Sequence, residues 1–332
     1  MRKYTFLCLT DDSRHSPENS LYAIVNGILS HEQCASVYIA SRANPNNKPF
    51  FDNVNLNEVF AVKVNPGLEY DPSGKQFLVD TEKINPEDVD VIFLRLPRPV
   101  EDEFLMSLAQ QYKHKHIINH PEGILETSTK AFLLNFKQYC PPMALCRSKD
   151  DVRSFIESYD CVLKPLKEYG GKGIVRVING LVSDGDKDYK LNEYLDLIED
   201  TLKREGMLAM KYLKNVKNGD KRLLVVNGEI LAASLRMPPE DSWLCNVARG
   251  GKSVLSEATE EEKLIIKQIG SELTKRGILI FGADTLEDDS GKRVLSEINT
   301  LSIGGFPQAE KQTGKPVISL LTNKIFDYVS GR

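Results

Sequence analysis

Residues 161–173 read CVLKPLKEYGGKG, and the chain continues as IVRV to residue 177. The apolar run before Lys164 and the alternating run after the glycines predict two strands joined by a loop. A lysine inside a strand of buried type costs desolvation energy unless an anion faces it. We therefore expect Lys164 to face a phosphate group.

The loop between these strands is rich in glycine. Glycine has no Cβ and tolerates backbone angles that turn consecutive N–H groups toward phosphate oxygens. The predicted phosphate-binding residues are Tyr169, Gly170, Gly171, Lys172 and Gly173. Since a strand and not a helix follows, the segment is not a P-loop. The alternative is a glycine-rich hairpin with an exposed lysine at its tip.

A second motif lies in residues 281–299, FGADTLEDDSGKRVLSEIN. Two alternating runs flank Ser290-Gly291, and a hairpin centred there places Asp284 opposite Glu297. Because strand side chains alternate, Asn299 shares their face. Two carboxylates and an amide oxygen suit Mg²⁺, or Mn²⁺, that also binds the phosphates of a nucleotide. A solvated hairpin face is the alternative.

A third motif lies in residues 219–238, where Asn227-Gly228 between two apolar runs predicts a type I′ hairpin. Arg222 and Arg236 then lie near the open end of this hairpin, where two guanidinium groups could hold a carboxylate and a transferring phosphoryl group. Taken singly, each arginine is better explained as a surface charge. The long segment 237–252 that follows predicts a lid over the reactants.

The composition excludes several classes of protein. A chain of 332 residues exceeds the roughly 150 expected of one domain. The 43 Lys and Arg against 47 Asp and Glu disfavour binding to nucleic acid. No apolar run approaches the ~20 residues of a membrane helix, and the N-terminus has no signal-peptide pattern. We expect a cytoplasmic protein with no membrane partner.

The first part of the chain predicts an open α/β domain. Residues 4–10, 37–40 and 89–96 have the pattern of buried strands, with a helical pattern after the first of them. The first strand–helix turn contains no glycine, so a dinucleotide fingerprint is missing there. Arg95 follows a buried run at a strand's carboxyl end, where open α/β domains bind ligands, and is a candidate substrate contact.

The pattern changes after Gly123, where helical and mixed segments replace the alternation of strand and helix. From Met207 onward several strands follow, with a helical pattern over 259–276 to cover them. The predicted divisions are 1–123, 124–206 and 207–332.

These motifs, in this order, resemble the bacterial glutathione synthetases, which are ATP-grasp ligases. The likeness runs from about residue 88 to 300 and is densest at 163–166, 170–171, 210–213 with 219–222, and 297–299. The resemblance implies an ATP-grasp fold of two subdomains, preceded by a pre-ATP-grasp domain over residues 1–123. It implies ATP contacts from Lys130 and Lys164 and an adenine-facing strand at Met210, Lys211, Tyr212 and Leu213. It also assigns Arg222 and Arg236 to the substrate and γ-phosphate, and Asp284, Glu297 and Asn299 to magnesium.

The resemblance further implies a reaction. In this family a dipeptide carboxylate attacks the γ-phosphate, and the amine of glycine then displaces phosphate from the acyl phosphate. Glutathione synthesis from γ-glutamylcysteine, glycine and ATP is the leading prediction. The alternatives are a related peptide ligase with another donor or amine, and an ATP-binding regulatory protein without turnover. A homo-oligomer acting on peptide and amino-acid substrates is also implied.

Two segments depart from the family pattern. Asn299 is followed by Thr300-Leu301-Ser302-Ile303-Gly304-Gly305, where the family has a Thr-Ser-Pro-Thr type of run. In the lid, the expected Gly-Gly-Arg reads Gly250-Gly251-Lys252, with an arginine at Arg249. The 302–305 loop could donate N–H groups to an oxyanion or carboxylate. The predicted substrate contacts are Arg95, Ser302, Gly304, Gly305, Arg249 and Lys252.

Overall fold

A computed structural model describes residues 2–238 and 252–331. The strands are β1 Tyr4–Thr10, β2 Cys34–Ser41, β3 Val59–Val64, β4 Glu82–Ile84, β5 Val91–Leu94, β6 His116–Ile118, β7 Met143–Cys146, β8 Cys161–Pro165, β9 Val175–Ile178, β10 Leu181–Ser183, β11 Asp188–Lys190, β12 Met207–Lys211, β13 Asp220–Val226, β14 Glu229–Met237, β15 Lys252–Ser256, β16 Ile280–Glu287 and β17 Arg293–Asn299. The helices are α1 Ser20–Ser30, α2 Lys48–Phe51, α3 Asp102–Gln111, α4 Pro121–Thr127, α5 Lys149–Ser158, α6 Leu191–Leu197, α7 Glu199–Arg204, α8 Glu260–Lys275, α9 Phe306–Thr313 and α10 Val317–Ser330. Among the helices within these residues, none combines the length and apolar character needed to cross a membrane.

The first sheet has the order β4-β3-β2-β1-β5-β6. Strand β1 is parallel to β2 and β5, and β5 is parallel to β6, whereas β3 and β4 extend the sheet antiparallel. The chain moves outward from β1 in one direction through β2 and in the other through β5. The predicted N-terminal α/β arrangement is confirmed.

The second sheet has the order β11-β10-β9-β8-β12-β7. Strand β12, Met207–Lys211, pairs antiparallel with both β8 and β7. The predicted boundary at residue 207 therefore separates β12 from the two strands with which it pairs. Met207 and Ala209 belong to one buried cluster and Leu208 and Met210 to another, so both faces of β12 are covered and its sequence does not alternate.

The third sheet has the order β15-β14-β13-β16-β17. At the β13–β14 turn, Asn227 has φ 49° and Gly228 has φ 76°, as a type I′ turn requires. In the β16–β17 hairpin Asp284 lies opposite Glu297, and Gly282 opposite Asn299. The predicted pairing of Asp284 with Glu297 in this hairpin is confirmed.

The C-terminal helix α10 packs against both the third sheet and the N-terminal sheet, since its buried cluster also contains Leu224 and Ala232. Its Phe326 ring lies 5.4 Å from the Phe6 ring of β1 and 6.3 Å from the Tyr4 ring. Leu321 and Ile325 join the same buried cluster, which also contains residues of α1. The predicted division 207–332 thus contains a helix whose apolar face is shared between the N-terminal sheet and the third sheet.

A buried ion pair fixes which face of β13 is turned toward α8. Lys221 Nζ lies 2.9 Å from Glu262 Oε2, and Glu262 also accepts hydrogen bonds from Thr285 and from the backbone of Thr259. Because side chains alternate along a strand, the neighbours Asp220 and Arg222 point to the opposite face.

We expect Glu262→Ala to lower the free energy of unfolding by about 3–5 kcal/mol, because the Lys221 charge stays buried without its partner. Urea denaturation followed by circular dichroism measures this change. Glu260→Ala, in the same helical turn but with an exposed partner, Lys263, is the control and should change little. Equal losses of unfolding free energy in the two variants would contradict the stabilising role of the Lys221–Glu262 ion pair.

Candidate active site

An open cleft with about 760 Å³ of empty space lies between the second and third sheets. Residues from motifs far apart in the sequence meet at its walls. They are Lys130, Val162, Lys164, Gly171, Ile174, Met210, Lys211, Tyr212, Leu213, Val216, Asp220, Leu286, Ser296 and Glu297. The structure thus brings together both predicted ATP lysines, part of the glycine-rich loop, the predicted adenine strand and one predicted metal ligand.

Two buried lysines reach this cleft from different elements. Lys164 lies on β8 and its Nζ is 3.3 Å from the carbonyl oxygen of Ser296. Lys130 begins the 3-10 helix Lys130–Tyr139, and its Nζ is 3.3 Å from Glu297 Oε1. Burial lowers the pKa of Lys164, and the Lys130 charge lowers it further, while Glu297 opposes both. Counted with the adjoining arginines, the cations Lys130, Lys164, Arg222 and Arg236 outnumber the carboxylates Asp220, Asp284 and Glu297, which leaves an excess of positive charge.

Asp284 is enclosed by the two predicted arginines. Arg222 donates from Nε to Oδ1 at 2.7 Å and from Nη2 to Oδ2 at 2.6 Å, and Arg236 Nη2 lies 2.9 Å from Oδ2. Asn299 donates its amide N–H to Oδ2 at 3.2 Å. Burial opposes ionisation of Asp284, but the two guanidinium groups outweigh it and lower the pKa of the carboxyl.

Asp220 is a site residue that the sequence reasoning missed. It lines the cleft on β13, directly opposite Arg236, and its Oδ2 accepts from Arg236 Nη2 at 2.6 Å. Burial raises the pKa of Asp220 to about 6 against the lowering effect of Arg236, and the charges of Asp284 and Glu297 raise it further. The available signal was its position two residues before Arg222, which places both on one face.

The glycine-rich loop is held over the cleft by contacts at its start. Lys130 Nζ donates to the carbonyl oxygen of Glu168, and Arg98 Nε donates to the Tyr169 hydroxyl at 2.7 Å. The Arg98 guanidinium also lies 4.9 Å from the centre of the Tyr169 ring. Arg98 comes from the N-terminal domain, so this contact joins that domain to the loop.

The glycines of the loop have left-handed backbone angles. Gly170, Gly171 and Gly173 have φ of 63°, 74° and 68°, and a Cβ on Gly173 would lie 3.0 Å from Pro165 Cγ. Gly171 lines the cleft, whereas Tyr169 and Lys172 line a second cleft on the Arg98 side of the loop. The loop therefore separates the two clefts.

The predicted substrate residues near the N-terminal domain lie together. Arg95 is buried, and its Nη2 donates to the carbonyl oxygen of Ile303 at 2.7 Å. Ser302 donates through Oγ to the Leu96 carbonyl oxygen at 2.6 Å, and the Gly305 N–H donates to Ser20 Oγ at 3.0 Å. The 302–305 loop leads into α9, and its Gly305 N–H already has a partner within the chain.

Part of the predicted site lies outside the described residues. Arg249 falls there, as does most of the predicted lid 237–252. Lys252 is the first residue of β15, where its backbone pairs with that of Met237.

The side chains present fit a magnesium ion bound by oxygen. Asp284, Glu297 and Asn299 share one face of the β16–β17 hairpin and supply two carboxylates and an amide oxygen, the hard donors that Mg²⁺ prefers. Within the described part of the chain, no group of three or more His, Cys, Asp or Glu side chains is arranged to hold a metal.

Comparison with solved structures agrees with this arrangement of sheets and cleft. D-cycloserine synthetase DcsG superposes with a TM-score of 0.65 at 10% identity, covering 98% of this chain and 99% of that one. The ATP-grasp ligase PsnB, solved with a precursor peptide and AMPPNP, gives a TM-score of 0.56 at 14% identity over 98% of each chain. The fold is the ATP-grasp fold, with an N-terminal sheet domain before it.

Sequence comparison identifies the family within the ATP-grasp fold to which the chain belongs. The family "Prokaryotic glutathione synthetase, ATP-grasp domain" matches residues 129–314. The glutathione synthetase of Xylella fastidiosa is 31% identical over 242 residues, 71% of this chain and 73% of that protein. That of Rhodopseudomonas palustris is 29% identical over 267 residues, 79% of this chain and 80% of the relative. The chain belongs to the prokaryotic glutathione synthetase family and is an ATP-dependent carboxylate–amine ligase.

Proposed function

We propose that this ligase joins γ-glutamylcysteine to glycine with hydrolysis of ATP to ADP and phosphate, forming glutathione. The relatives at 29–31% identity over most of both chains bear the name glutathione synthetase. The observation that carries the proposal is the meeting of Lys130 and Lys164 beside Glu297 in one cleft. The cations Lys130, Lys164, Arg222 and Arg236 outnumber the carboxylates Asp220, Asp284 and Glu297, so an anion is favoured here, and the phosphates of ATP would supply it.

The predicted cofactor residues have distinct tasks in this proposal. Met210, Lys211, Tyr212 and Leu213 line the cleft at the adenine end, and Lys130 and Lys164 bind phosphate oxygens. The glycines of the 170–173 loop cover the phosphates with backbone N–H groups. Asp284, Glu297 and Asn299 would hold Mg²⁺, which neutralises phosphate charge and orients the γ-phosphoryl group when bound.

The chemistry then depends on positioning and charge. The donor carboxylate oxygen attacks the γ-phosphorus and the bond to the β-phosphate oxygen breaks, giving an acyl phosphate and ADP. The amine nitrogen of glycine next attacks the acyl carbon, and phosphate leaves. Arg222 and Arg236 stabilise the negative charge on the transferring phosphoryl group, so no Ser, His or Cys nucleophile is needed.

We assign the substrate-binding residues from their positions in the fold. The carboxyl end of β5 and the 302–305 loop meet at Arg95 and Ile303, so we assign substrate binding to this junction. We assign Arg249 and Lys252 to the lid by sequence alone. A cytoplasmic location and a homo-oligomeric state stay predictions of the family resemblance.

A panel of dipeptide and amino-acid pairs tests the proposal. Purified protein with Mg·ATP is expected to release ADP fastest with γ-glutamylcysteine and glycine, and mass spectrometry should find glutathione. Omitting either substrate is the control, since ADP release must depend on both. Turnover only with other pairs would identify a related peptide ligase. The departure of residues 300–305 from the family pattern makes this the specific alternative.

A further inference from the structure

The segment that joins the two sheets of the cleft is held from outside by a turn. This connector, residues 212–219, links β12 of the second sheet to β13 of the third. Leu213 and Val216 of the connector line the cleft, as does Leu286 of β16. The position of the connector relative to β16 therefore helps to set the width of the cleft at its adenine end.

Asp289, in the β16–β17 turn of residues 288–292, makes two contacts with this region. Its Oδ2 lies 2.7 Å from Lys211 Nζ at the end of β12, and its Oδ1 accepts a hydrogen bond from the Lys214 N–H at 3.2 Å. The hydrogen bond from Lys211 lowers the pKa of Asp289, so this carboxyl is ionised at neutral pH. One carboxylate therefore ties both the adenine strand and the connector to the turn.

Further contacts join the connector to the same hairpin. Asn215 donates through Nδ2 to the Asp288 carbonyl oxygen at 2.7 Å, and Arg293 Nη1 of β17 donates to the Gly219 carbonyl oxygen at 2.9 Å. The connector is thus fixed to the hairpin near its middle and at its end.

The turn that carries Asp289 is stabilised by its own hydrogen bonds. Asp288 Oδ1 accepts from the backbone N–H groups of Ser290 and Lys292 at 2.8 and 3.0 Å, and from Ser290 Oγ at 2.7 Å. A side chain that binds the backbone of its own turn in this way fixes the turn locally. The position of Asp289 is therefore set without any contact to the connector.

We propose that Asp289 is a positioning residue for nucleotide binding, which holds the connector against the β16–β17 turn so that Leu213 and Val216 contact the base. This inference rests on the proposed function of the cleft. Asp289 is not among the described residues that line the cleft, and it acts through Lys211 and the connector backbone. Because the base is held equally in the substrate complex and in the transition state, loss of Asp289 weakens nucleotide binding without slowing the chemical step.

Calorimetric titration with Mg·ADP tests the role. Asp289→Ala is expected to weaken ADP binding about three- to tenfold, since a partly exposed ion pair and a hydrogen bond to a charged acceptor are lost. The KM for ATP should rise by a similar factor while kcat stays within about twofold of the wild type. Asn215→Ala removes an independent contact of the same connector and should also weaken ADP binding. Asp186→Ala, which removes an exposed carboxylate between β10 and β11, is the control and should bind ADP as the wild type does.

Tripolyphosphate, which has the phosphates of a nucleotide but no base, locates the effect within the cleft. Its affinity, measured by displacement of ADP, should be the same in Asp289→Ala and the wild type. Equal losses of affinity for tripolyphosphate and ADP would overturn the proposal, because the defect would then lie at the phosphate end. Wild-type ADP affinity in both Asp289→Ala and Asn215→Ala, or a lower kcat with an unchanged KM, would also overturn it. ADP binding is measured without donor or amine, so failure of the glutathione reaction in the wild type is seen separately.

Discussion

Lys164→Met is expected to reduce turnover by about 10²–10³-fold, the effect of removing one preorganised charge from a reacting site. The Nζ of Lys164 lies in the cleft beside Ser296, and burial lowers its pKa. The charge is therefore unfavourable in the empty fold, where Glu297 offsets it only in part, and a bound phosphate would offset it further. Methionine keeps most of the volume of the chain and removes the charge.

The thermal stability of Lys164→Met should not fall with its turnover rate. Replacing a buried charge by an apolar side chain of similar volume is often neutral or stabilising. We expect the thermal midpoint of Lys164→Met without nucleotide to equal or exceed that of the wild type, and the stabilisation by ATP to shrink. Lys187→Met, an exposed lysine at the edge of the same sheet, is the control. A near-normal rate in Lys164→Met would refute the assignment of this lysine.

The β16–β17 hairpin shows how far local sequence determines the site. Its turn is short and polar, so alternation along two adjacent runs places Asp284 opposite Glu297, as the structure has it. The type I′ turn at Asn227-Gly228 was predictable for the same reason. Both features depend on contacts between residues close in sequence.

Features that depend on distant contacts were not predictable in this way. The placement of β12 between β7 and β8, and the packing of α10 on Phe6, each join elements more than 40 residues apart. The contact between Arg98 and Tyr169 crosses from one domain to another. Periodicity shows which face of an element is apolar, but not which partner covers it.

The enclosure of Asp284 by arginines is the most consequential of these distant contacts. The sequence placed Asp284 with Glu297 and Asn299, and Arg222 with Arg236, as two separate groups. In the structure the two groups form one network, so the proposed metal ligand and the proposed phosphate ligands are ion-paired with each other. In the proposed function, a cation at Asp284 would therefore compete with both guanidinium groups for one carboxylate.

Glu297→Gln is expected to lower kcat by about 10³-fold or more, since a bound metal ion contributes several kcal/mol of charge stabilisation in the transition state. Glu297 is the proposed metal ligand that lines the cleft and lies within 3.3 Å of Lys130. Glutamine keeps the shape and one oxygen but removes the negative charge that both the cation and the lysine need.

A direct measurement of metal binding accompanies the kinetics of this variant. Electron paramagnetic resonance should show weaker Mn²⁺ binding in Glu297→Gln, with and without ATP, because a neutral amide replaces a charged oxygen donor. Glu287→Gln, on the facing strand with its carboxylate on Asn218, should bind Mn²⁺ as the wild type does. If Glu297→Gln lost turnover but kept full Mn²⁺ affinity, the carboxylate would act on Lys130 and not on the metal. If it kept turnover, Glu297 would have no part in the reaction.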